Sequence, residues 1–257
     1  VFGAGGRMGS TVCRAVAGDP ALTLVGAIDP YHSGLDLRHA TGVDVPDLHI
    51  DPDPSTLLAT GVDVVVDFTV LEASRRNLAW AAENGVHAVV GTTGLTEDDH
   101  AEMAKAFTRS NCVIAPNFAI GAVLMMRFAE LAAPWFETAE IVELHHNHKV
   151  DAPSGTAVLT ARRMAEASGD WAPDPTETEV VPGARGARGP AGIRVHSVRL
   201  QGLVAHQEVL LGTTGQSLLL RHDSYDRDSF MPGVLLAVKQ VAQHPGLTLG
   251  LDSFLGL

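Results

Sequence analysis

Residues 1–9 read V-F-G-A-G-G-R-M-G, and this opening decides the first half of the fold. A glycine run directly ahead of helix-forming residues is the setting of a dinucleotide-binding turn. The glycines permit a tight turn and let backbone N–H groups of Gly3, Ala4, Gly5, Gly6, Arg7 and Met8 approach a pyrophosphate without a side-chain clash. The third glycine of a G-x-G-x-x-G pattern falls one place late, at Gly9 instead of Met8. A strand should lead into such a loop, so further residues are expected upstream of Val1. The next apolar run, L-T-L-V-G-A-I-D at 22–29, ends on Asp29, where a carboxylate can accept hydrogen bonds from the adenosine ribose. Such an acid opposes a 2′-phosphate, and Pro30 rather than an arginine follows it, so the residues lean towards NAD(H). Arg7 keeps a phosphate partner open, and a simple turn-capping role is the alternative for Asp29.

Outward from this loop the β–α rhythm repeats. Apolar runs at 62–68, 87–92 and 112–116 read as strands, and 7–18, 72–84 and 97–109 carry helical spacing. Strands apolar on both faces, alternating with helices, indicate a parallel sheet covered on both sides, hence an α/β, doubly wound, Rossmann-like domain. In such a sheet ligands sit at the carboxyl ends of the strands. Gly91, Thr92 and Thr93 end one strand and Ala115, Pro116, Asn117 and Phe118 the next, so both turns are candidate cofactor contacts. An ordinary strand turn and an interdomain hinge are their bland alternatives.

Beyond Asn117 the pattern changes. A helix is expected over 120–132, an alternating strand through A-E-I-V-E-L-H-H, and a helix over about 155–168. A Pro/Gly-rich loop at 182–192 follows, either a linker or a mobile loop whose Arg185 and Arg188 lie near a site. Alternating strands then suggest an open mixed sheet, and a last helix over 231–242 is expected to pack back on the first domain.

The net charge of −12 argues against nucleic acid as a partner, since phosphate backbones need a basic face. No apolar run is long enough to suggest a membrane span. Cys13 and Cys112 form no disulfide framework and sit among apolar neighbours, which suggests buried thiols and a cytoplasmic protein.

Residues 143–157, E-L-H-H-N-H-K-V-D-A-P-S-G-T-A, carry the chemistry. His145, His146, His148 and Lys149 offer proton donors and cations, and a helix start at Ser154-Gly155-Thr156 offers free N–H groups and a positive dipole end. This combination suits a small, multiply anionic substrate that must be held and protonated. A histidine-rich surface loop is the alternative. A metal site would need a further ligand such as Glu143, and neighbouring strand residues point to opposite faces, so no metal is expected.

G-A-G-G-R-M-G, D-F-T, V-G-T-T-G, A-P-N-F-A-I-G and E-L-H-H-N-H-K-V-D-A-P-S-G-T-A, in this order, resemble the dihydrodipicolinate (4-hydroxy-tetrahydrodipicolinate) reductases across essentially the whole chain, with G-L-V-A-H-Q-E-V and R-H-D-S-Y-D-R-D-S-F-M-P-G adding to the match. The likeness is strongest to the actinobacterial branch. It implies a nucleotide-binding domain from 1–116 and 227–257, and a substrate-binding and tetramerisation domain, α+β with an open mixed sheet, from 117–226. It implies reduction of 4-hydroxy-tetrahydrodipicolinate by NADH and/or NADPH in diaminopimelate and lysine synthesis, in a homotetramer whose domains close over the substrate about hinges near Asn117 and Arg227. By the same resemblance His145 is the catalytic proton donor and acceptor, Lys149 a second donor, and His146, Gly155 and Thr156 hold the substrate. Gly3 to Met8, Asp29, Gly91 to Thr93 and Ala115 to Phe118 hold the cofactor. Pro30, where NADPH-preferring members often carry arginine, puts a strong NADP preference in doubt. A different nicotinamide-dependent dehydrogenase and a non-catalytic NAD(H) sensor are the competing readings.

Overall fold

The apolar runs of the first half become short parallel strands, and the computed structural model describes all residues 1–257. Helix α1 (Arg7–Gly18) follows the glycine loop, and the chain continues through β1 (Ala27–Ile28), α2 (Leu37–Thr41), β2 (Ile50–Asp51), β3 (Val64–Asp67), α3 (Leu71–Asn84), β4 (His87–Val90), α4 (Glu97–Ala106) and β5 (Cys112–Ile114). The closing helix α7 (Met231–Gln240) and strand β11 (Leu247–Leu249) complete this unit, which comprises Val1–Phe118 and Phe230–Leu257. Phe2 bridges in parallel to both Ile28 and Asp67 and so joins the two pieces of sheet. The order across the sheet is therefore β2, β1, Phe2, β3, β4, β5, β11, every pairing parallel.

Strand alternation explains the cover. Ala88 and Val90 of β4 join a core with Leu78 of α3, Met103 of α4, Phe107 and Ile114. Val89 points the other way and is fully buried, on the strand that α7 packs against. α7 also packs on α1, while α3 packs against β3 and β4, so helices cover both faces of the sheet.

Two local expectations change. The strand expected over 22–29 shrinks to Ala27–Ile28, because Leu22 N–H turns back to the Asp19 carbonyl and only the last residues meet Phe2 and β2. The helix expected over 97–109 stops at Ala106, where Phe107 leaves helical geometry to bury its ring. α4 begins on a capping box, Thr96 with Asp99, and three acids occupy its first turn.

The second unit, Ala119–Ser229, holds α5 (Ile120–Ala132), β6 (Thr138–His145), α6 (Gly155–Ala167), β7 (Ala187–Arg188), β8 (Arg194–Arg199), β9 (Ala205–Thr213) and β10 (Gln216–Ser224). Its mixed sheet runs β10, β9, β6, β8, β7, with β6 and β8 parallel and the other pairs antiparallel. α5 and α6 pack on one face, where Met125, Met164, Ile141, Val195, Val209 and Leu211 form the core. The opposite face stays open, with Leu210 and Leu219 exposed. The 182–192 stretch is ordered into this sheet as β7 and a following turn at Pro190–Gly192. Its Arg185 pairs with Glu140 at 2.5 Å and approaches Asp174, on the open-sheet side of β6.

Candidate active site

The glycine loop is built by close backbone approach. Gly3 takes a positive φ of 69°, and Gly6 N–H returns to the Gly3 carbonyl at 2.9 Å. A Cβ on Gly9 would lie 1.9 Å from that same carbonyl oxygen, which explains why the late third glycine is a glycine. The first N–H groups of α1 have no intrahelical acceptor, so the loop presents an anion-binding helix start with Gly3 to Met8 around it. Asp29 is buried, and its carboxylate accepts N–H groups from Gly5 at 3.1 Å and Tyr31 at 3.0 Å. His32 Nδ1 stands 3.1 Å from the same carboxylate and its ring covers Gly5. Asp29 thus ties the loop to the turn after β1.

At the next strand ends a residue that sequence reasoning did not single out does the organising. Asp67, at 1% exposure, accepts bonds from Thr69 N–H and hydroxyl, Asn77 and the Thr92 hydroxyl. Its signal was the D-F-T triplet, since an aspartate bonded to the residue two places on marks a turn. Gly91 is needed because the Phe68 ring lies where its Cβ would be, at 2.0 Å. Thr93 and Pro116 are exposed, whereas Ala115 and Phe118 are buried and Phe118 contacts the Phe68 ring at 5.7 Å. The strand-end candidates therefore lie on one edge of this sheet, some as surface and some as its support.

In the second unit, β6 delivers His145 at its last residue, and the chain turns through 146–149 with Lys149 N–H bonded to the His146 carbonyl. Glu143, two residues earlier on the same strand face, is fully buried and lies 2.5 Å from His145 Nδ1. Arg199 at the end of β8 grips the Glu143 carboxylate with both Nη atoms, each at 2.9 Å. Ser154 N–H reaches the same carboxylate at 3.2 Å, and the Ser154 hydroxyl caps α6 through Ala157 N–H. Arg199 also donates to the Asp151 carbonyl at 2.6 Å, and Lys149 Nζ pairs with the Asp151 carboxylate at 2.8 Å. Gly155 opens α6 with nothing within 4 Å of its Cβ direction, and Thr156 follows in the first turn. His146 and His148 are exposed, with ring centroids 6.2 Å apart.

Electrostatics follow from this packing. Burial pushes the His145 imidazole below its ordinary pKa, and Lys149 and Arg199 add to that, against the pull of Glu143. Burial alone would raise the Glu143 carboxyl, but Arg199, Ser197 and His145 outweigh it and hold it below the usual range. The chemical capacity is a proton-exchanging imidazole, a nearby ammonium and a helix start open to carboxylate oxygens. Glu143, considered from sequence only as a possible metal ligand, instead holds His145. No three His, Cys, Asp or Glu side chains gather in metal-binding geometry. Cys13 and Cys112 are fully buried and burial raises both thiols, so neither is placed as a nucleophile.

Comparison with known proteins places this geometry. The family model described as dihydrodipicolinate reductase, N-terminus, matches residues 1–118, and that for the C-terminus matches residues 121–255. The 4-hydroxy-tetrahydrodipicolinate reductase of Mycolicibacterium vanbaalenii is 50% identical over 100% of this chain and 98% of its own. That of Beutenbergia cavernae is 48% identical with the same coverage. A dipicolinate-bound dihydrodipicolinate reductase from Paenisporosarcina sp. TG-14 superposes with a TM-score of 0.86 at 39% identity, over 98% of this chain and 97% of that one. An amine dehydrogenase from Mycobacterium smegmatis, at 14% identity and a TM-score of 0.63 over 93% of this chain and 90% of that one, shares the fold alone.

Proposed function

The chain belongs to the dihydrodipicolinate reductase family, and on that premise we propose that it reduces 4-hydroxy-tetrahydrodipicolinate to tetrahydrodipicolinate at the expense of NADH or NADPH, with loss of water. One observation carries the site assignment: a proton-exchanging imidazole, an ammonium and an uncovered helix start lie within residues 145–156 of one unit. That set matches a cyclic dicarboxylate whose reduction takes up a proton. The dipicolinate-bound relative, whose ligand is a planar dicarboxylate, supports the substrate class.

The substrate hydroxyl leaves as water, giving a conjugated imine. When bound, the nicotinamide supplies the hydride, which adds at the carbon conjugated to that imine. Charge then builds along the ring carbon–nitrogen system, and a proton must arrive as it does. His145 is the residue for that transfer, because Nδ1 is engaged by Glu143 and leaves Nε2 to exchange. Lys149 is the second donor. The α6 N–H groups at Gly155 and Thr156 take one carboxylate, and His146, at the turn beside them, contacts the other end of the ring. The glycine loop, Asp29 and the strand-end residues Gly91 to Thr93 and Ala115 to Phe118 fit a dinucleotide, since a helix start and a Cβ-free cradle face the same edge.

A homotetramer is supported by the open sheet face, where exposed Leu210 and Leu219 lie beside the Glu140, Arg185 and His196 pairs. A place in cytoplasmic diaminopimelate and lysine synthesis follows from the reaction, and two buried free thiols suit a reducing compartment. The test supplies purified protein with substrate freshly made from pyruvate and aspartate semialdehyde by the preceding synthase, and follows NADH and NADPH oxidation separately. Synthase-dependent oxidation, lost by more than about 100-fold in His145→Gln with NADH affinity intact, is the expected result. Tight cofactor binding without oxidation by the parent protein overturns it.

A further inference from the structure

A carboxylate with no exposed surface is costly unless every lone pair is met, and Glu143 sits at 0% exposure in the middle of the second unit. Its four principal partners are not a random set. They are the Nδ1 of His145, both Nη atoms of Arg199, and the N–H of Ser154, the residue that caps α6. Arg199 then reaches the Asp151 carbonyl, and Asp151 holds Lys149. One carboxylate therefore touches or supports His145, Lys149 and the start of α6. Apolar residues can replace a buried pair that serves stability alone without loss. This pair is joined instead to a half-buried imidazole whose free nitrogen is the only one left for chemistry.

Resting on the reductase reading of the site, we infer that Glu143 and Arg199 are positioning residues for His145: the carboxylate holds the imidazole as its Nδ1–H tautomer so that Nε2 exchanges the proton, and the guanidinium keeps that carboxylate ionised. The tautomer of a histidine is set by the partner of its other nitrogen, and an ionised carboxylate accepts but cannot donate. The charged groups facing the imidazole are Glu143 from β6, Arg199 from β8, and Lys149 with its partner Asp151 from the following turn. Glu143 draws the proton towards the ring while Arg199 and Lys149 draw it away. The pair thus orients the imidazole and keeps the carboxylate from locking the proton in place.

The test uses the full-length protein with 15N-labelled histidine, and His145→Gln assigns the resonances. At a pH where the ring is neutral, the parent should show Nδ1 protonated. Glu143→Gln should shift the ring towards the Nε2–H tautomer, lower its titration midpoint, and cut kcat by on the order of 100-fold with KM changed by less than about threefold. Arg199→Lys should recover most of the activity that Arg199→Leu loses. Cooperative thermal unfolding and the dispersion of the other histidine resonances report correct folding of the mutated unit in each case, and unchanged NADH affinity shows that the other unit is untouched. If Glu143→Gln does not fold, the double variant Glu143→Gln/Arg199→Leu removes the pair without leaving a lone buried charge, and the same loss of kcat is expected. A folded Glu143→Gln or double variant with parental tautomer and kcat overturns the positioning role. If His145→Gln itself keeps parental kcat, the reductase reading of His145 fails, whatever the tautomer result.

Discussion

Gly9→Ala is the sharpest test of how the glycine loop is made. The added Cβ would lie 1.9 Å from the Gly3 carbonyl oxygen, 2.5 Å from Gly3 carbon and 2.9 Å from Ala4 Cα. All three are backbone atoms, so no side chain can swing aside. Ordinary contact needs roughly 3.5 Å, and α1 must therefore rise from the loop by more than about 1 Å. Overpacking of this kind costs about 3 kcal/mol, the upper end of its usual range, because backbone must move. At about 2–4 °C per kcal/mol for a chain of this size, the unfolding of the nucleotide-binding unit should drop by about 6–12 °C. The same displacement lengthens any hydrogen bond from the start of α1 to a phosphate, and losing one charge-assisted bond of about 1.5–3 kcal/mol weakens NADH by roughly 10- to 100-fold. Calorimetric unfolding and NADH titration read both effects. Gly18→Ala is the control on the same helix, because nothing lies within 4 Å of its Cβ direction. A Gly9→Ala protein that unfolds within about 1 °C of the parent and binds NADH equally well would show that the helix does not press on the loop.

Four further outcomes are expected. Gly155→Ala adds a methyl group to open space at the first position of α6, so it should stabilise its unit by about 0.5–1 kcal/mol in thermal unfolding; the same methyl should weaken pyridine-2,6-dicarboxylate in titration by crowding the carboxylate site. Because the folded pKa of His145 is lowered, the unfolded chain takes up that proton first as pH falls. The stability His145 contributes is therefore full above the ordinary imidazole value of 6.5 and lost as pH falls through the lowered one, readable as a falling thermal midpoint. A bound dianion reverses the shift, so pyridine-2,6-dicarboxylate should bind with proton uptake, seen in calorimetry across buffers of different ionisation heat. Asp29→Asn should lower the ratio of kcat/KM for NADH over NADPH by roughly 10-fold, through loss of charge-assisted bonds to the ribose; an unchanged ratio would leave Asp29 only its bonds to Gly5 and Tyr31.

What was legible in the sequence is what short-range chemistry encodes. Gly3, Gly6 and Gly9 announce a loop pressed against a helix start, and the runs around 64–67 and 87–90 announce strands buried on both faces. Ser154 announced the start of α6 because a helix cap is a local hydrogen bond. What was hidden depends on partners far along the chain. β11 is three residues long and acquires its identity only by pairing with β5, more than a hundred residues earlier. Glu143 reads in the sequence only as a possible metal ligand on an alternating strand, and Arg199, which decides its state, lies 56 residues away. Asp67 was likewise hidden, since its bond from Thr92 joins two strand ends that only the folded sheet brings together.

The cluster around His145 separates into a locked pair and a releasable one, and that division bears on how an acidic chain captures a dianion. Arg199 and Lys149 balance Glu143 and Asp151, so with a neutral imidazole the free site carries no net charge, within a chain of net −12. Capture cannot draw on Arg199, because withdrawing it would leave Glu143 charged at 0% exposure. Lys149 is different. Its partner Asp151 is 61% exposed and can turn to water, so this pair opens without leaving a buried carboxylate alone. A substrate carboxylate can therefore take Lys149 from Asp151 at little cost, while the α6 start receives the second carboxylate. Each step makes the surroundings of His145 more negative and so favours the imidazolium. On this argument the substrate recruits the proton it will need, and the positive charge appears only when there is an anion to meet it.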